Sequence, residues 1–309
     1  MLALFDAEAT ISAGYLNMKS NAIHTAREQE NGSPAAAIFL HIPKTAGTTL
    51  LNIIARQYPP EAIYSFGADA HESVAQFKAL DEESREKIHL LLGHMAYGLH
   101  EYLPNFAGYF TLLRDPAARV ISYYNFIRRT PDHYLYDEVM GKDLSLHDLL
   151  ESGLPLMMND GQVRLLSGAW GEPAFGEVSP ALLETAKRSL ADSFIVAGLT
   201  EQFDKTLYLL KEKLNWQKDI TYQRQNVSRQ GLKENQLPKA TVELIKRVNR
   251  QDIALYAYAH DLFDEQCAQQ GALFPFRVRY FQLLNKYQPS IKRLRSYSIR
   301  AKLKSETRT

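Results

Sequence analysis

A single cysteine, Cys267, in 309 residues excludes an internal disulfide framework and a cysteine-based zinc site, and it fits a reducing compartment. No uninterrupted apolar run reaches the roughly 18 residues that a membrane helix needs. The N-terminus also lacks the basic start and apolar core of a secretory leader. The expectation is a soluble, cytoplasmic protein. Net charge is scarce as well, only +1. It is also uneven: residues 276–309 carry ten Lys/Arg against one Glu, leaving 26 basic and 34 acidic residues in the body. An acidic body argues against nucleic acid as a partner and requires an anionic ligand to be held by locally aimed donors. No cluster with metal-ligand spacing is visible, so no metal is expected.

What the chain does have is an ordinary globular balance, 45% hydrophobic and 23% charged. The breaker cluster Asn31-Gly32-Ser33-Pro34 marks a boundary, which makes residues 1–34 a loosely attached extension, 35–275 the main domain and 276–309 a basic tail whose first part packs as a helix; the tail reads as solvated first, and otherwise as a dock for an anionic surface, an acidic glycan or a partner's acidic face. Ala35 to Ile42, Ile88 to Met95, Tyr109 to Leu113 and Phe194 to Leu199 are short apolar runs that read as buried strands. Helical spacing runs from Thr48 to Tyr58, from Pro116 to Arg129 with Asp115 as N-cap, and from Gln202 to Asn215, with further helices at Pro238–Asn249 and Asp252–Gln270. The stretch from Leu144 to Asp192 reads as a helical insertion. Alternating strands and helices predict an α/β fold, a central parallel sheet flanked by helices.

The first strand ends in Pro43-Lys44-Thr45-Ala46-Gly47-Thr48-Thr49, which brings backbone N–H groups, hydroxyls and one ammonium to a helix start. That is an anion cradle. Gly47 would let the backbone approach the anion closely. A nucleotide triphosphate loop needs Gly, four residues and then Gly-Lys-Ser/Thr, whereas here the Lys precedes the Gly. A plain connecting turn is the other reading of this segment alone. In YFTLLRDPAARVIS, from Tyr109 to Ser122, a strand end presents Arg114 beside a capped helix start, and Ser122 lies two turns along. The two could grip a second phosphate, or Arg114 could pair with Asp115 or Glu101.

Together, PKTAGTT and LLRDPAARVISYYNF resemble the 5′-phosphosulfate loop and the 3′-phosphate motif of sulfotransferases that use 3′-phosphoadenosine-5′-phosphosulfate. The likeness is to the carbohydrate branch with heparan sulfate and uronyl 2-O-sulfotransferases and many bacterial relatives. It runs from about Ala36 to Phe263, with GLTEQFDKTLYLL, NDGQVRLLSG and DIALYAYAHDLF in support. The resemblance implies the nucleotide-kinase-like sulfotransferase fold. It assigns Lys44, Thr45, Gly47, Thr48 and Thr49, with Ala46 in the same loop, to the 5′-phosphosulfate, and Arg114 and Ser122 to the 3′-phosphate. His94 stands where the family carries its histidine base, a role that the loss of the acceptor's hydroxyl proton requires. His41 and His100 compete for that role.

Weaker assignments follow from position. Arg229 and Lys233 sit in a basic stretch that in resembling enzymes closes over the nucleotide, and a solvated connection is an equal reading. Arg164 and His41 could face the acceptor, or Arg164 could form an internal salt bridge and His41 simply pack. The expected partner is a hydroxyl-bearing saccharide, with Lys44 neutralising the leaving phosphate. The rivals are a magnesium-dependent nucleotide-triphosphate kinase, which would need carboxylates near Thr48, and a binding protein that keeps the pocket without turnover.

Overall fold

Five apolar residues without alternation, AAIFL, make strand β1 (Ala36–Leu40), and all five are buried, as in a strand covered on both faces. The computed structural model describes residues 36–66, 70–223 and 231–287. After β1 come α1 (Gly47–Gln57), β2 (Ile63–Ser65), α2 (Ala70–Lys78), α3 (Glu82–Glu86), β3 (Leu90–Gly93), β4 (Phe106–Leu113) and α4 (Pro116–Ile127). They are followed by α5 (Tyr136–Gly141), α6 (Leu146–Glu151), α7 (Gly161–Leu166), α8 (Pro180–Ser193), β5 (Phe194–Leu199), α9 (Phe203–Lys213), α10 (Lys239–Val248), α11 (Arg250–Ala268) and α12 (residues 274–287). The sheet is parallel throughout, in the order β2-β3-β1-β4-β5.

Central β1 pairs with β3 on one side and β4 on the other. The chain fills the β3 side first and then crosses to the β4 side, so the carboxyl ends of β1 and β4 flank a topological switch point, where α/β sheets bind ligands. The three-residue β2 is too short to give a periodic signal and was missed by pattern reading. The sheet core includes Phe39 and Phe110, stacked at 5.1 Å between centroids. Burying each such ring contributes about 1.5–3 kcal/mol.

The expected helical insertion divides in two. Helices α7, α8 and α11 pack on one another, and α8 and α11 cover β5. Val120, Ile127, Val139, Leu149 and Leu244, from α4, α5, α6 and α10, form a second, smaller core. At the seam, α7 and α11 cap each other. Asp160 Oδ1 accepts the N–H groups of Gln251 and Asp252 at 2.9 and 2.8 Å, and the Asp252 carboxylate accepts those of Gln162 and Val163 at 3.1 and 2.8 Å. Buried Arg119 donates to Asp252 at 3.4 Å and to the Met157 carbonyl at 2.7 Å.

Helix α12 begins inside the folded body. Phe274, Val278 and Phe281 are buried, with Phe274 and Phe281 against Tyr208 on α9, and Gln282 donates to Asp204. Among the described residues no helix is long and apolar enough to cross a membrane.

Candidate functional site

The six residues between β1 and α1 turn within an unusually constrained loop. Lys44 and Ala46 both have left-handed backbones, with φ of 71° and 65°, which L-residues adopt at a cost of roughly 1–2 kcal/mol each. Two bonds hold that geometry: buried Thr45 Oγ1 donates to the Ile42 carbonyl at 2.8 Å, and Arg114 Nη1 donates to the Lys44 carbonyl at 2.9 Å. Helix α1 has no side-chain N-cap. Among the described residues no hydrogen bond leaves the backbone N–H groups of Lys44, Thr45, Ala46, Gly47 or Thr48. The first N–H groups of any helix lack an intrahelical partner, and here the unpaired run extends back through the loop to Lys44, an arrangement that suits an anion.

The ammonium of Lys44 sits 3.8 Å from the centroid of Phe126. Burial pushes its pKa down to about 8, and the neighbouring charges that add to the effect, Arg129 and Arg114, are both cations. Arg129 lies just past the end of α4, whereas Ser122 and Phe126, four residues apart, share the helix face that meets Lys44. Ser122 is half-buried there. Thr48 is exposed and Thr49 buried at the start of α1.

Three imidazoles were candidates for the base, and the structure separates them. His94, just after β3, is exposed, while its Nδ1 lies 2.8 Å from the His41 carbonyl. A carbonyl can only accept, so neutral His94 carries its proton on Nδ1 and leaves Nε2 as a bare lone pair. Partial burial is the main cause that lowers its pKa, with Lys44 adding to it against the opposing effect of that hydrogen bond. His41 lies beneath the loop, its ring stacked on His94 at 4.3 Å and on Phe39 at 5.3 Å. Burial, then His94 and Lys44, push its pKa down to about 3. Of the two readings of His41, the stacking favours packing, although the ring is only part-buried beside exposed His94. His100 is also displaced from the role: its Nδ1 meets the Tyr109 hydroxyl at 3.0 Å, within an aromatic cluster of Tyr97, Phe106 and Tyr109.

Gly47 has a steric reason of its own. A Cβ there would come within 1.7 Å of His41 Nε2, and that ring cannot swing aside because Phe39 and His94 hold its faces. Gly47→Ala is expected to lower thermal stability by about 1–3 kcal/mol, read by thermal unfolding. Adding His41→Ala should make the pair cost less than the sum of the two single changes. Strict additivity would show that the two side chains do not compete for one space.

Arg164 is the clearest correction. It is fully buried, donating to the Asn159 carbonyl and side-chain oxygen at 2.9 and 2.8 Å, to the Ala174 carbonyl at 3.0 Å and to that of Pro173. It binds backbone, not an acceptor. Lys233 is exposed, with its N–H on Gln236 Oε1, and Arg229 lies outside the described residues.

Sequence reasoning passed over three residues. Gln162, fully buried, clamps the backbone of Arg114 with two 3.0 Å bonds, one to its carbonyl and one from its N–H. Asn125 clamps Leu232 the same way, at 2.9 Å each. Arg129 lies close enough to Lys44 to perturb it. Only Arg129 and Asn125 carried a signal, their helical spacing from Ser122.

The family model described as “Sulfotransferase family” matches residues 35–259. Heparan-sulfate 6-O-sulfotransferase 1 of Homo sapiens is 28% identical over 183 residues, covering 51% of this chain and 44% of that protein. Heparan-sulfate 6-O-sulfotransferase 2 of Gallus gallus is 29% identical over 182 residues, covering 50% and 44%. Galactose-3-O-sulfotransferase 3 of Bos taurus is 26% identical over 254 residues, covering 75% and 58%. The chain thus spans about half the length of these relatives.

Proposed function

The chain belongs to the sulfotransferase family, and from that premise we propose that it moves a sulfuryl group from 3′-phosphoadenosine-5′-phosphosulfate to a saccharide hydroxyl. One arrangement carries the reading: five successive N–H groups without an acceptor among the described residues, beside an ammonium flanked by cations, next to an imidazole with a bare Nε2. The names of the relatives, heparan-sulfate 6-O- and galactose-3-O-sulfotransferases, support a sugar acceptor. The likeness of the motifs to 2-O enzymes points to the same acceptor class, with the sulfated position to be read by product analysis.

The residues present fit such a donor. The N–H groups from Lys44 to Thr48, with the Thr48 hydroxyl and the Lys44 ammonium, would hold its 5′ end. Arg114 and Ser122 would hold the 3′-phosphate, with Arg129 adding positive charge. Thr45 contributes its N–H alone, because its hydroxyl is spent on Ile42. The donor supplies an activated sulfuryl group on a phosphate. As the acceptor oxygen bonds to sulfur and the sulfur–phosphate oxygen bond breaks, His94 Nε2 takes the acceptor's proton, and Lys44 balances the charge left on the phosphate. Positioning and charge supply the acceleration, as in phosphoryl transfer.

The test is transfer of labelled sulfate from the donor to a panel of saccharides, lipids and small alcohols, with chelator present. Label on a saccharide is expected; nucleotide-triphosphate-dependent phosphorylation instead would overturn the reading. In that assay kcat/KM should be bell-shaped in pH. It falls on the acid side as His94 gains a proton, below the ordinary histidine value of 6.5, and on the alkaline side as free Lys44 loses its charge near pH 8.

A further inference from the structure

Helix α12 has two apolar faces, and the body accounts for only one of them. Phe274, Val278 and Phe281 are buried against the body. Phe276, Tyr280, Leu283 and Tyr287, at helical spacing on the opposite side, are 72%, 64%, 45% and 50% exposed. Leu273 and Leu284 widen this stripe. Large apolar patches of this kind mark interaction surfaces. Exposed Arg279 and Lys286 flank one side of the stripe, and Arg277, which reaches Glu212 at 3.7 Å, lies on the other. Not one Asp or Glu occurs between Glu265 and Glu306, an interval with nine Lys and Arg, although the rest of the chain is acidic.

We propose that the outer face of α12 docks on an anionic lipid bilayer. The pattern suits a helix lying in the headgroup layer: aromatic and leucine side chains enter the acyl boundary while basic side chains reach back to lipid phosphates. A second copy is disfavoured because an antiparallel isologous pairing through this stripe would set the basic flank of Arg279 and Lys286 against the same flank of the other copy. A soluble acidic glycan would meet the charges but leave Phe276 and Leu283 in water. The acidic body, repelled by the same lipids, would be held away from the surface, so that this helix makes the contact.

The experiment sediments the full chain with vesicles of phosphatidylcholine alone or mixed with phosphatidylglycerol. Partition onto the anionic vesicles is expected to be at least about tenfold tighter and to weaken as salt rises. Phe276→Ser, Tyr280→Ser and Leu283→Ser together should reduce it by about tenfold or more, with thermal unfolding and sulfate transfer to a soluble acceptor unchanged. Arg279→Gln and Lys286→Gln should each cost about fivefold on anionic vesicles only. Equal partition onto both vesicle types, no partition onto either, or a wild-type dimer that the triple variant converts to a monomer would each overturn the proposal.

Discussion

Replacing His94 by Ala is expected to lower kcat by about 10²–10⁴-fold while adenosine 3′,5′-bisphosphate binds nearly as before. The separation follows from where the imidazole sits. Its Nδ1 is committed to the His41 carbonyl, and its ring stacks on His41 beneath the loop. What remains for chemistry is Nε2, a lone pair kept unprotonated near neutrality by burial and by Lys44. Ala also removes a stacking partner of His41, so a loosened loop could mimic a lost base. His94→Gln is the control, since its amide can still donate to the His41 carbonyl but cannot take a proton. If Gln restores turnover, the ring acts as a support. If both variants lose turnover, keep nucleotide affinity and lose the acid limb of the pH profile, Nε2 is the base.

Much of the sheet was legible because parallel strands are buried on both faces and write themselves as unbroken apolar runs, as in Ala36–Leu40 and Phe194–Leu199. The Asp115 cap and Pro116 at the start of α4 were equally plain, and Asp115 accepts the Ala118 N–H at 2.8 Å. What the chain hides is long-range pairing. Nothing in NDGQVRLLSG says that Asp160 caps a helix beginning some ninety residues later, or that Gln162 holds the backbone of Arg114. Arg164 in that segment read as facing an acceptor or forming an internal salt bridge, and it is a buried brace for the turns at Asn159 and Ala174. Gly47 was read as the place where the backbone could approach an anion closely; its steric constraint, the imidazole beneath it, lies six residues upstream and emerges only when β1 and α1 are folded together. His100 and His94 are both histidines near the end of one strand. Only the Tyr109 hydroxyl, contributed by β4, shows that His100 belongs to an aromatic cluster on the other side of the turn.

Replacing Lys44 by Met should lower kcat by about 10²–10³-fold and flatten the alkaline limb of the pH profile. The ammonium is held where a cation is least comfortable, half-buried, over the Phe126 ring and beside Arg129 and Arg114, and its pKa falls to about 8 as a result. An anion entering the loop reverses that imbalance, so the bound form should hold its proton to higher pH than the free form. Nucleotide binding above pH 8 must then take up a proton, and wild-type affinity should fall as pH rises past that point. The Met variant, with no proton to take up there, should show weaker binding and no such slope. The kinetic signature separates two roles. A rise in KM with kcat intact would mean that Lys44 only anchors the donor, whereas an equal loss in kcat and kcat/KM would mean that its charge is used as the phosphate leaves. Arg is a poor substitute, because its planar fork would compete with Arg114 for space and for the Lys44 carbonyl region that Arg114 already pins at 2.9 Å. Lys44→Arg should therefore stay close to Met in kcat, which a requirement for positive charge alone would not predict.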